Sequence, residues 1–321
     1  MKVVISHISA ARYWTSDLAI RPAASACDET SFDSEEFAIR PSDIEMATSR
    51  LTVLGAGPLH VMLPHTGHST SKLACHCHRG PLPPGSIRRL SEDVYIVSPE
   101  LAFVQMGAEM PFDEHVKLGL RLCADYALRG GEIVQTSAPT SRRQIQRFVD
   151  RFEGRWGAKG SRRTLSYVAD GSGSPMESHS TMLSCLPRTN GGYRFSLPEL
   201  NRLIELDRAT AQMVPQRYFK CDLYWPRQKV AIEYDSDAFH TGSDRIMADS
   251  LRRNALKHMG IKVTTVGRQQ IMDSRMFDIV MRQIAKDLGR RIYEPFAPPL
   301  EAVVRLRNLL FSDVEFPTLG V

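Results

Sequence analysis

The segment YFKCDLYWPRQKVAIEYD, residues 218–235, constrains this chain more than any other. Two runs rich in β-branched and aromatic residues flank a short turn at 225–228, a pattern that predicts two antiparallel strands. An isolated hairpin is barely stable in water, so neighbouring elements must cover it. The flanking sequence supplies them. SPMESHSTMLSCL reads as a helix opened by Ser174-Pro175, and RIMADSLRRNALKHMG as a helix ended by Gly260. IKVTTVG reads as a third strand, and RQQIMDSRMFDIVMRQIAKDLGRRI as helical. Helix, hairpin, helix, strand, helix predicts a compact α/β unit with a mixed sheet flanked by helices.

Acidic residues on the hairpin are the candidates for chemistry. Asp222 lies on the first strand, and Glu233 and Asp235 lie on the second, two apart and so on one face. Pairing across the turn brings Asp222 beside Glu233. Carboxylates gathered in this way repel one another unless a cation lies between them. Oxygen donors around a partly hydrated octahedral site suit Mg²⁺ or Mn²⁺. His240 follows the second strand, within reach of the same place. A metal held there activates a water and stabilises the charge that develops on a phosphate during phosphodiester hydrolysis. The same carboxylates also read as surface charges on an edge hairpin, and spacing alone leaves both readings open.

The strings CDLYWPRQKVAIEYDSDAFH and DSLRRNALKHMGIKVTTVGRQQI resemble the PD-(D/E)xK nuclease superfamily, and within it the branch of very-short-patch repair (Vsr) endonucleases. The resemblance covers residues 172–295 and implies a restriction-endonuclease-like domain. It implies that Asp222 is the first carboxylate and Glu233 the second, the two being the metal ligands. Asp235 occupies the place where the superfamily usually has Lys. His240 matches the downstream histidine of the Vsr-like branch, and Glu177, in SPMES, matches an acidic residue on that fold's first helix. Arg253 matches an arginine of the helix before the glycine, with DNA as its implied contact. Without the lysine, another group must position the water or stabilise the transition state, and His240 is the candidate, beside the plain reading of a surface histidine. Asp249 and Arg252, three apart, read as a pair on a helix surface.

Upstream, HVMLP and LTVLGAG read as strands, SIRRL and DVYIVS as a hairpin, and residues 1–20 as a short helical opening. Residues 21–50 read as a surface connection. SPELAFVQMGAEM and FDEHVKLGLRLCADYAL are helical in period. Residues 142–163 carry eight basic residues against Asp150 and Glu153. They read as a helix ending near Gly157, with Ile145, Phe148, Val149, Phe152 and Trp156 on one side and Arg143, Arg147, Arg151 and Arg155 on another. That arginine face either tracks DNA phosphates or is simply solvated. DGSGSP, residues 170–175, is the best linker. The expected organisation is therefore a smaller N-terminal α/β domain at 1–165, a nuclease-like domain at 172–295 and a C-terminal tail at 296–321.

ISHISAARYW, PLPPGSIRRLSEDVYIVSPELAFVQM and WGAKGSRRTLSYV more loosely resemble the AbiEi-type antitoxin and regulator proteins, which implies a DNA- or protein-partner-binding role for the first domain. Cys75-His76-Cys77-His78 invites a zinc reading, but adjacent strand residues point to opposite faces and no second ligand pair is evident in the sequence.

The net charge is +5, which mildly favours a polyanionic partner. No apolar run is long enough to span a bilayer, and the N-terminus makes a poor signal peptide, so no membrane partner and a cytoplasmic setting are expected. The six scattered cysteines then read as free thiols. The leading expectation is a Mg²⁺-dependent DNA endonuclease, in defence against foreign DNA or in repair. The alternatives are a non-catalytic DNA-binding regulator on a degenerate nuclease fold and an antitoxin-like protein whose partner is another protein.

Overall fold

A six-stranded mixed sheet organises the N-terminal half of the chain. The computed structural model describes residues 2–18, 21, 23–26, 57–235 and 243–312, and the chain divides into units built on Met1–Val168 and Ala169–Asp313. In the first unit, β1 (Val3–Ile5), β2 (Ser25–Ala26), β3 (Leu59–Leu63), β4 (Leu73–Cys77), β5 (Ile87–Arg89) and β6 (Val94–Val97) pair in the order β2-β5-β6-β1-β3-β4. β1 runs parallel to β6, with Val4 opposite Tyr95, and antiparallel to β3, with Val4 opposite Met62. The expected helical opening therefore starts as a central strand, because Val3, Val4 and Ile5 are buried on both faces. Helix α1 (His7–Thr15) follows it. The expected β5–β6 hairpin is present. Most of the expected connection at 21–50 and nearly all of LTVLGAG lie outside the described residues.

Helix α2 (Pro99–Met106) starts where its sequence says it should. Ser98 caps it by accepting from the Leu101 N–H, and Pro99 takes the first turn, where no donor is needed. It is buried almost all round, the mark of a central helix. Helix α3 (Phe112–Leu122) is shorter than its apolar period suggested. Tyr126 and the following residues instead form the hairpin β7 (Tyr126–Arg129) and β8 (Glu132–Gln135), turned by Gly130-Gly131, both at positive φ.

The basic stretch is two helices rather than one, α4 (Arg142–Arg151) and α5 (Ala158–Leu165). Ile145, Phe148, Val149 and Phe152 are buried as expected, but Trp156 lies beyond the helix and is 76% exposed. The break is set by packing. Gly157 takes φ +83°, and a Cβ there would lie 2.0 Å from the Val104 carbonyl oxygen. A Cβ at Gly160 would lie 1.7 Å from the Gly107 carbonyl oxygen. These two glycines let α5 rest backbone to backbone on the end of α2.

His115 of α3 is buried against the same helices. Its Nε2 hydrogen-bonds the Phe103 carbonyl at 2.8 Å, its Nδ1 bonds Thr164 Oγ1 at 2.8 Å, and its ring stacks on Phe103. Burial pushes its pKa down to about 4, against a partial rise from the Phe103 carbonyl. The unfolded chain then takes up this proton near pH 6.5 while the folded unit does not. Stability is thus fully present above pH 6.5 and falls as the pH drops to about 4, by about 3 kcal/mol from this group. Denaturant melts at a series of pH values should show this loss, and His115→Gln should make the slope in that window shallower.

In the second unit, α6 (Pro175–Cys185) precedes β9 (Glu199–Glu205), β10 (Tyr218–Trp225), β11 (Val230–Asp235), α7 (Ser243–His258) and β12 (Lys262–Gly267). The four strands pair in the order β12-β11-β10-β9, all antiparallel except the β11–β12 pair. The hairpin, the third strand and the flanking helices fall where the sequence placed them. β9 was not anticipated, because as a sheet edge it exposes Glu199, Leu203 and Glu205. The long helical run after β12 splits into α8 (Arg268–Met272) and α9 (Ser274–Asp287), since Asp273 accepts from the Arg275 and Met276 N–H groups. The expected tail from residue 296 carries α10 (Leu300–Phe311), whose Ala302, Leu306, Leu309 and Leu310 are buried at helical spacing. The chain is therefore α/β with mixed sheets flanked by helices, but the N-terminal unit is the larger of the two, not the smaller. Among the described residues, no helix is long and apolar enough to cross a membrane.

Candidate functional site

The β10–β11 register pairs Leu223 with Ile232, Tyr224 with Ala231 and Trp225 with Val230. The pairing stops one step short of Asp222 and Glu233, the two residues that the hairpin pattern set opposite one another. The two carboxylates have different partners there. Asp222 Oδ2 accepts the Tyr234 N–H at 2.8 Å, so a side chain ends the ladder at this point. Glu233 is held by Arg252 of α7, whose Nη1 and Nη2 donate to its two carboxylate oxygens at 2.8 and 2.6 Å. This is a bidentate charge-assisted pair, among the stronger hydrogen-bonded arrangements a protein makes. Arg252 also donates to the Lys220 carbonyl and lies over the Phe219 ring. The Cys221 thiol donates to Glu233 Oε1 at 3.5 Å. Burial first, then the Glu233 charge, pushes that thiol's pKa up to about 12, so Cys221 stays protonated.

Glu177 lies in the first turn of α6. Its Oε2 accepts from the Gly173 N–H at 2.7 Å and from Asn201 Nδ2, and its Oε1 accepts from Ser174 Oγ at 2.9 Å. Ser174 in turn accepts the Glu177 N–H, which makes a reciprocal helix cap. Asn201 reaches this place from β9 at φ +50°, a left-handed conformation that asparagine tolerates better than most residues. Burial raises the Glu177 pKa, and the Asp222 charge adds to it against three hydrogen bonds that lower it. Burial also raises the Asp222 pKa, opposed by the Tyr234 N–H and by the charges of Arg252 and Lys220. The Asp222 charge thus reaches Glu177, and burial makes each carboxylate resist ionisation.

Asp235 ends β11 opposite Gly267 and is partly buried. His240 lies outside the described residues, as does the side chain of Asp249. Among the described residues, no three of Glu177, Asp222, Glu233 and Asp235 bring ligand atoms within 4.8 Å of one another. Arg252 and Asn201 are the site residues that sequence reasoning missed. Arg252 had been read as a surface partner of Asp249, and Asn201 belongs to the unanticipated edge strand.

The basic residues divide in the same way. Arg143, Arg147 and Arg151 are exposed along α4, opposite its buried face. Arg155 lies past the end of α4, with its guanidinium over the Phe152 ring and Nη1 donating to the Pro81 carbonyl, so it is not part of a single arginine stripe. Arg253 is exposed on α7, beside the inward-turned Arg252.

Comparison of the chain with family models, with curated proteins and with solved structures finds no match to any of them.

Proposed function

We propose that the second unit is a Mg²⁺-dependent DNA endonuclease with a restriction-endonuclease-like fold. The observation that carries the reading is the Glu177–Asp222 pair: two partly desolvated carboxylates, one at a helix start and one within a strand, with the charge of the second opposing ionisation of the first. A cation relieves such a pair, and hard oxygen donors suit Mg²⁺ or Mn²⁺. The element order supports it as well, since the β10–β11 hairpin is followed by a helix and a strand that makes the sheet mixed, as the residues predicted. Asp222 and Glu233 would hold the ion, with Glu177 beside them. When bound, the ion supplies an acidified water and charge stabilisation for the phosphate. Within the chain, Tyr234 N–H orients Asp222, and Arg252 sets the position of Glu233 and would have to yield one of its oxygens. Asp235 and His240 complete the proposed catalytic set.

A metal-dependent nicking assay on plasmid DNA tests this reading. The Glu233–Arg252 clamp favours a second one, a non-catalytic DNA-binding regulator, because a carboxylate neutralised by arginine has less need of a metal. Under either reading, Arg143, Arg147 and Arg151 contact phosphates, with Arg155 and Arg253 as further contacts. Changing the first three to Ala should weaken binding equally for all DNA sequences. The slope of log affinity against log salt should flatten by roughly 0.9 per lost contact. A fluorescence-anisotropy salt series measures it, and an unchanged slope would mean that the arginines are only solvated.

A further inference from the structure

A second cluster of ligating side chains lies in the first unit, unconnected with the nuclease reading. His7 enters from the start of α1, His76 from β4, and Glu109 from the turn after α2. Their ligand atoms lie within 4.8 Å of one another, the one such group of three or more among the described residues. His7 Nε2 is 3.8 Å and His76 Nδ1 is 4.0 Å from Glu109 Oε1. The second nitrogen of each ring is already engaged. His7 Nδ1 bonds Ser6 Oγ at 2.9 Å, and His76 Nε2 bonds His60 Nδ1 at 2.9 Å. This division, one nitrogen facing a shared point and the other fixed by an outer partner, is how metal-ligating histidines are oriented.

We infer that His7 Nε2, His76 Nδ1 and the Glu109 carboxylate form a binding site for a divalent transition metal of the zinc class. Two imidazole nitrogens and one carboxylate disfavour Mg²⁺ and Ca²⁺, which take oxygen donors, and suit borderline ions. Zinc–ligand bonds of about 2.0–2.1 Å in a tetrahedron separate ligand atoms by about 3.3 Å, so both histidines need to move closer to the Glu109 carboxylate, from 3.8 and 4.0 Å, when an ion binds. Three protein ligands leave a fourth position open, the arrangement of catalytic rather than structural zinc. All three residues line a cavity of about 530 Å³ that Arg155 and Trp156 also border. That position can therefore take a water or an anionic oxygen of a small ligand.

Two further observations support the site. His7 holds φ +50° while its backbone N–H donates to Gln105 Oε1 at 2.9 Å. A histidine in this sparsely populated region points to a function when surrounding contacts enforce it. The His7 and His76 rings stack with centroids 3.5 Å apart, which suits neutral imidazoles with lone pairs to offer. Burial and neighbouring histidines push the His7 pKa down to about 2, and burial lowers that of His76. The positive end of α1 opposes a cation here, and the Glu109 charge offsets it.

Full-length protein stripped with a chelator and titrated with Zn²⁺ against a chromophoric competitor tests the site. One tightly bound ion per chain is expected, together with a higher melting temperature when Zn²⁺ is present. Glu109 lies toward the surface, so Glu109→Gln should leave the fold intact while weakening binding on the order of 100-fold or more and removing the thermal shift. His76→Ala should do the same, and His60→Phe should weaken binding by roughly 10- to 100-fold through loss of the outer partner. Asp222→Asn and Cys77→Ala should retain full affinity, which separates this site from the carboxylates of the second unit and from the neighbouring thiol. Absence of stoichiometric binding, or binding unchanged in both Glu109→Gln and His76→Ala, would overturn the assignment.

Discussion

Asp222→Asn is expected to lower Mg²⁺-dependent nicking of plasmid DNA by a factor on the order of 10³ or more, with the fold intact. A metal contributes several kcal/mol of charge stabilisation at a phosphoryl centre, and each 1.36 kcal/mol is a factor of ten in rate. The substitution keeps the size of the side chain and an oxygen to accept the Tyr234 N–H, but removes the charge that holds the ion. It also relieves the charge that Asp222 places on Glu177, so the melting temperature should hold or rise. DNA retention should persist, since one negative charge near the phosphates is gone. Nicking kinetics, a thermal melt and a binding isotherm on the same preparation check all three. If the wild-type protein cuts no form of DNA with Mg²⁺ or Mn²⁺ yet retains DNA in a salt-dependent way, the regulator reading replaces the enzyme.

Gly160→Ala should destabilise the first unit by about 3 kcal/mol or more, a fall in its melting temperature on the order of 10 °C. The added methyl would sit 1.7 Å from the Gly107 carbonyl oxygen, and this neighbour is backbone that cannot rotate away. Either α5 lifts from the end of α2 or α2 shortens, and Ser161, Thr164 and Leu165 lose their buried places. Lys159→Ala is the control, because that side chain is exposed one position earlier. Calorimetry should show the loss in the transition of the first unit. A Gly160→Ala protein as stable as Lys159→Ala would mean that the two helices do not meet in this way.

Much of the second unit was legible because local chemistry marks its element ends. Ser174-Pro175 opens α6, Gly260 ends the turn before β12, and the apolar runs on each side of 225–228 pair in the register their alternation implies. The misread basic stretch has a tertiary cause. Periodicity reports which residues are apolar but not where packing interrupts a helix. Residues 142–163 kept a helical period, yet the chain breaks before Gly157, and Gly160 inside α5 lets that helix approach α2 more closely than any side chain allows. Trp156 was placed on the buried face by spacing and is exposed by that break.

The two candidate sites mark where sequence information ends. Hydrogen-bonded strand pairing is set by register, so the sequence by itself determined that one hairpin joins the strands of Asp222 and Glu233, and that Ser174 opens a helix. It also determined that His76 and its flanking cysteines alternate on a strand, which argued against zinc held by that run alone. Only the tertiary structure decided the partners. Arg252 reaches Glu233 because α7 packs on the hairpin, and Asn201 reaches Glu177 from an edge strand with no apolar signature. His7, His60, His76 and Glu109 converge because β1, β3 and β4 are neighbours in one sheet and α2 ends beside them. Such contacts link residues far apart in the chain, and neither composition nor periodicity carries their distances.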